Sequence, residues 1–112
     1  MSIIDSILFD HTINIYNCIA LNRFDLLKEG CLSTFSRKDI EDTLNEYGGK
    51  LTVIDKDHYK GRFDSYHYQK NCYETEIDMI VDNTISDLTM ICRFIVEDSG
   101  IISEEIIDIH VL

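Results

Sequence analysis

Residues 73–82, Tyr73-Glu74-Thr75-Glu76-Ile77-Asp78-Met79-Ile80-Val81-Asp82, alternate in character with a period of two. Tyr73, Thr75, Ile77, Met79 and Val81 fall on one side of an extended chain; Glu74, Glu76, Asp78, Ile80 and Asp82 fall on the other. The pattern is that of a half-buried antiparallel strand, one face toward a core and one toward water. Downstream, Asp82 to Asp87 reads as a turn. Leu88 to Val96 then reads as a second strand, with Leu88, Met90, Cys92, Phe94 and Val96 on one face and Thr89, Ile91, Arg93 and Ile95 on the other. Glu97-Asp98-Ser99-Gly100 makes the next turn. Ile101 to Leu112 contains a last strand, expected to set Ile107, Ile109 and Val111 opposite Glu104, Asp108 and His110. Consecutive strands on short turns form a meander.

Upstream of this sheet the period changes to that of a helix. Ile4, Ile7, Leu8, Ile15, Cys18 and Ile19 recur at helical spacing with His11 on the same stripe, which predicts a long helix over residues 3–21. Asn22 is placed to cap a short second helix whose apolar side is Phe24, Leu26 and Leu27 and whose stop is Gly30. A third helix is predicted over residues 37–47. Ser36 stands three residues before Asp39, a capping box with Asp in the usual Glu or Gln position, and Phe35 with Ile40 supplies the hydrophobic staple. Ile40, Leu44 and Tyr47 give that helix its apolar edge, and Gly48-Gly49 ends it. Leu51 and Val53 open a short extended piece. Residues 55–72 read as a loop around Gly61 followed by a strand in which Tyr66 and Tyr68 share a face. Helices at about 3–47 and a sheet at about 50–112 make residues 1–112 one α+β domain, its helices packed on one face of a curved antiparallel sheet.

Composition limits what such a domain does. Of 112 residues, 45% are apolar, none is Pro or Trp, and the formal charge is −11. A chain of this length buries roughly two-thirds of its unfolded surface in one core. Its apolar runs are only a few residues long where a membrane span needs about 20. Ten basic residues against twenty-one acidic ones oppose a phosphate backbone, so no nucleic-acid partner is expected. Cys18, Cys31, Cys72 and Cys92 lack CxxC spacing, and the start Met-Ser-Ile-Ile-Asp has an acid where a secretory leader is positive. A cytoplasmic protein with reduced thiols is the expectation. His11, His58, His67 and His110 have no metal-ligand spacing, and GxSxG, GxxxxGK and GxGxxG are all missing. No cofactor or metal is expected.

The charge is segregated. Residues 1–49 carry eight acids and four bases, 50–70 three and five, and 71–112 ten and one. The sheet is therefore expected to present Glu74, Glu76, Asp78, Asp82, Glu104 and Asp108 on a single surface with only Arg93 among them. Such a surface attracts a basic partner and steers its approach; the plainer alternative is a solvated face that keeps a small domain soluble. Tyr66 and Tyr68, with Tyr59 and Tyr73, alternate with Lys60, Arg62 and Lys70, a mixture suited either to rigid interface anchors or to an ordinary edge strand.

Helices leading into a curved meander resemble the nuclear transport factor 2-like cone. Asp87-Leu88-Thr89, the turn Glu97 to Gly100 and the ending Ile107-Asp108-Ile109-His110-Val111-Leu112 are similar to small bacterial domains, some of which resemble immunity proteins of polymorphic toxin systems. The resemblance implies a non-enzymatic binder that neutralises a basic toxin domain, such as a nuclease, by occluding its active site. It carries over no catalytic residue. Two alternatives stand beside it. One is a small-ligand binder or enzyme with a cone cavity, in which His11, paired with an inward group such as Tyr73, acts as general base. The other is a homodimer through the open sheet face, for which Ile80, Ile91 and Ile95 are the support.

Overall fold

The computed structural model describes residues Met1–Leu112 in full. Two α-helices, α1 (Ile3–Ala20) and α2 (Arg37–Tyr47), precede four strands: β1 (Phe63–Gln69), β2 (Cys72–Val81), β3 (Thr84–Glu97) and β4 (Gly100–Val111). The strands form one antiparallel sheet in the order β1-β2-β3-β4, a plain meander.

Each helix begins where its sequence says. Ser2 caps α1 by accepting from the Asp5 amide at 3.1 Å. At α2 the full capping box is present: Ser36 Oγ accepts from Asp39 N and Asp39 Oδ2 accepts from Ser36 N. The predicted second helix is corrected to a single 3-10 turn, Phe24–Leu26. Asn22 does not cap it. With φ of 58° it is the left-handed residue on which the chain leaves α1.

One face of α1 supplies Leu8, Ile15, Tyr16 and Ile19 to the core, where they meet Ile77, Met79, Met90, Cys92 and Phe94 from the sheet. Both helices lie on this side. Tyr16, in the middle of α1, fixes the sheet to the segment before it: its hydroxyl donates to Thr52 O at 2.7 Å and Ile80 O at 3.0 Å. Asn17 adds a second clamp. Its amide nitrogen donates to Ile54 O at 2.9 Å and its carbonyl accepts from Ile54 N at 2.8 Å. The expected extended piece around Leu51 is a lone bridge to Val81.

Two features of the sheet depart from the sequence reading. The turn between β2 and β3 is only Asp82-Asn83, both with positive φ, so β3 starts at Thr84 and Asp82 belongs to the turn, not to a strand face. In β4 the pairing slips at a bulge: Ile91 stands opposite Asp108 while Cys92 stands opposite Ile106. The extra residue, Ile107, reverses the alternation. In consequence Ile106 and Ile109 face the core, and Glu104, opposite Phe94, is drawn inward to 6% exposure. Glu104 and Asp108 therefore occupy opposite faces of the sheet.

Candidate protein-binding face

With both helices on one side, the other face of the sheet is open. The register sorts its side chains into cross-strand rows. Arg62, just before β1, hydrogen-bonds across to Asp78, which pairs with Thr89 and through it with His110. Asp64, Glu76, Ile91 and Asp108 make the next row, and Tyr66, Glu74, Arg93 and Glu105 the one after. Tyr66 and Tyr68 are about half exposed; Ile91 and Ile95 are partly covered.

These rows change the charge picture. Arg62 lies along the face, with Nη1 2.6 Å from Asp64 and 3.0 Å from Glu76 and Nε 3.5 Å from Asp78. Arg93 reaches Glu74 at 2.6 Å and sets its guanidinium 5.5 Å from the Tyr68 ring. The expectation that Arg93 stands alone among the acids is corrected: Arg62, assigned to the loop by its sequence context, is a second cation on the face. Six carboxylates against two guanidiniums still leave it acidic. Both guanidiniums are engaged by carboxylates, although Arg62 Nη2 is buried without a hydrogen-bond partner, and the acids without a guanidinium collect on β4. There Asp108 is 3.0 Å from His110 Nδ1, and Glu105 accepts from the Ser33 hydroxyl at 2.7 Å.

Of the eight residues expected to bind a partner, Glu74, Glu76, Asp78, Asp108, Tyr66 and Tyr68 share this face. Asp82 sits at the β2–β3 turn, where it accepts from Lys50 N at 3.0 Å. Glu104 is on the opposite side, 2.6 Å from His11 Nδ1 and 3.4 Å from Lys28 Nζ. It ties α1 and the loop after it to β4. Sequence reasoning missed Glu105, which only the β4 bulge brings to the outer face. Arg62 carried a usable signal, since it continues the alternation of β1 with Asp64, Tyr66 and Tyr68.

On the inner side the expected pairing of His11 with Tyr73 is not formed. His11 is held by Glu104 and not by Tyr73, which stacks on His67 at 4.5 Å. Where a cone cavity would open, Ile77, Met90 and Phe94 fill the space at zero exposure. All four cysteines are buried and unpaired. Burial pushes the Cys18 and Cys92 thiols up and holds Cys31 at about 11, so these groups stay protonated and poor nucleophiles near neutral pH.

A family model described as Domain of unknown function (DUF7668) matches residues 16–112. The chain belongs to this family. No curated protein and no solved structure matches it. The matched stretch takes in all of β1–β4, and with them every residue of the open face described above. No helix is long and apolar enough to cross a membrane.

Proposed function

We propose that the chain is a non-enzymatic binding protein that engages a basic protein partner across the open face of its sheet. In its most specific form the reading is that of an immunity protein covering the active site of a toxin domain, a cationic nuclease being one such target. The nuclear transport factor 2-like cone is the finer fold comparison that goes with it, on the order of helices followed by a curved meander. One observation carries the proposal. The two helices pack on the same side, and the face they leave bare combines an excess of carboxylates with two half-exposed tyrosines and partly covered isoleucines. Tyrosines beside a charged rim are the composition of an interface with aromatic anchors. The acid supplies steering toward a basic partner. A homodimer through the same face would bring two like-charged surfaces together, which opposes it.

The test is co-expression of the tagged chain with the product of the adjacent upstream gene, followed by washing at low and at high salt. The reading expects a stoichiometric basic protein retained at low salt, lost when Tyr66→Ala and Asp108→Lys are combined, and kept when the helix-side residue Glu46 is changed to Lys. Recovery of the bait alone, or a complex indifferent to the combined variant, contradicts it.

A further inference from the structure

A four-stranded meander has two edges, and this fold treats them differently. The β4 edge is covered at its middle: Ile106 N donates to Cys31 O at 2.9 Å and the Ser33 hydroxyl bonds Glu105, so the segment before α2 meets it there. The β1 edge pairs with nothing. Asp78 N donates to Arg62 O, which turns the main-chain groups of Arg62 toward β2. By the alternation of an antiparallel ladder, Asp64 and Tyr66 also bond inward, and the N–H and C=O of Phe63, Ser65 and His67 face away from the sheet. An edge of this kind is a template for another strand unless it is blunted by charged side chains, Lys above all, by Pro, by a bulge or by a covering segment; the one charge on β1, Asp64, is neutralised by Arg62. β1 contains neither Pro nor Lys, and its bulge falls beyond His67. The free stretch is thus Phe63 to His67.

Beside it lies a hollow of about 390 Å³ lined by Met1, Asp5, Phe63, Asp64 and Ser65. Asp64 is already bound to Arg62. Asp5 has no cationic side chain within ion-pair distance; the Ser65 hydroxyl donates to it, and hydrogen bonds from Ser65 and Ser2 hold its carboxyl below the ordinary aspartate value. Asp5, charged and hydrogen-bonded by Ser65, with the Met1 amino group as the positive charge acting on it, therefore stands next to an open strand edge and a hollow able to take a side chain.

We infer that the free edge of β1 accepts an extended segment of the basic partner as an added strand, with a Lys or Arg of that segment seated in the hollow against Asp5. This rests on the binding-protein reading and goes further, since it names the partner's conformation and one of its residues. Strand addition draws affinity from main-chain hydrogen bonds and specificity from pockets for alternate side chains. A second copy of this chain is the poorer occupant, because β1 carries no Lys or Arg to seat in the hollow against Asp5 of its partner.

The probe is a synthetic peptide, acetyl-Thr-Val-Lys-Val-Thr-amide, titrated into isotopically labelled protein and followed by amide chemical shifts, with the Glu-for-Lys peptide as comparison. The expected result is shifts centred on Phe63, Ser65, His67 and the first turn of α1, with affinity at least about tenfold higher for the Lys peptide. Asp5→Asn should remove most of that preference. Ser65→Pro deletes an outward N–H without touching the ladder and should abolish binding, while Ser65→Ala keeps it. If Ser65→Pro does not fold, slowed hydrogen exchange of the Ser65 amide on peptide addition to the wild type reads the same contact. Absence of shifts at these amides at millimolar peptide, equal binding of the Glu peptide, or a dimer formed through β1 by light scattering overturns the inference. A partner released by reversing charge on the open face but unaffected by Ser65→Pro would overturn this inference alone and leave the binding-face reading standing.

Discussion

Tyr16 and Asn17 show how much a single turn of helix can organise. Adjacent in sequence, they send two side chains to three main-chain positions outside α1, at Thr52, Ile54 and Ile80. Burial pushes the Tyr16 phenol up to about 12, so it stays a neutral donor throughout the physiological range. Tyr16→Phe leaves the ring in place and removes the hydroxyl, taking a partner from Thr52 O and from the Ile80 amide, while Ile80 O keeps its bond from Thr52 N. The expected cost is about 1–3 kcal/mol of unfolding free energy, read as a lower denaturant midpoint with the slope of free energy against denaturant unchanged. Asp39 supports a second prediction at this scale. Its carboxyl is held below the ordinary value of 3.8 by the hydrogen bonds it shares with Ser36, the backbone one foremost. A folded-state pKa below the unfolded one contributes stability that is present above the unfolded value and lost as pH falls through the folded one. Asp39→Asn should therefore be less stable than wild type near neutrality, and the difference should close as pH drops below about 4; a gap that widens in acid would contradict it. Residue positions were also where the sequence was least legible. Tyr16 looks like any apolar helical residue, and its partners lie 36 and 64 residues away.

At the scale of elements, α2 and the sheet differ in how they are held. α2 buries only Ile40 completely, with Leu44 packed beside it and a hydrogen bond of 2.7 Å from Tyr47 to Asp87. Its stability leans on its cap, so Ser36→Ala should cost about 1 kcal/mol. Native-state hydrogen exchange should show α2 amides opening at lower free energy than those of the central strands β2 and β3; equal protection would mean that the helix unfolds only with the core. The capping box, the length of α1 and the alternation of β2 from Tyr73 to Asp78 against β3 from Thr89 to Phe94 were readable because each is a local pattern; the earlier start of β3 at Thr84 and the register shift between Asp78 and Ile80 were not. β4 was not. Its residues alternate as a regular strand would, but the bulge at Ile107 adds one residue against β3, and a single extra residue exchanges the two faces. Glu104 went inward and Glu105 outward for that reason alone. Nothing in Glu104-Glu105-Ile106-Ile107 itself says where the slip occurs, because it is set by the fit of β4 against β3.

For the whole molecule, the asymmetry between a helix-covered face and an open one is the basis of the functional reading. The acidity of residues 71–112 was visible by counting, while its distribution was not: Arg62 and Arg93 take up Glu74, Glu76, Asp78 and Asp64, leaving Asp108 and Glu105 on β4 as the acids facing outward without a guanidinium. Reversal at those two positions should disturb the field of the face with little effect on the fold, whereas Glu76→Lys would also break an internal ion pair. The central claim is that this face meets a basic partner under electrostatic steering. Its most direct test is the association rate of the purified pair, followed by stopped flow across a range of ionic strength, for wild type and for the Glu105→Lys, Asp108→Lys double variant. A rate that falls steeply with salt in the wild type, and is about tenfold slower and much less salt-dependent in the variant at low salt, is the predicted result. Equal rates with equal salt dependence would contradict it and place the partner on another surface.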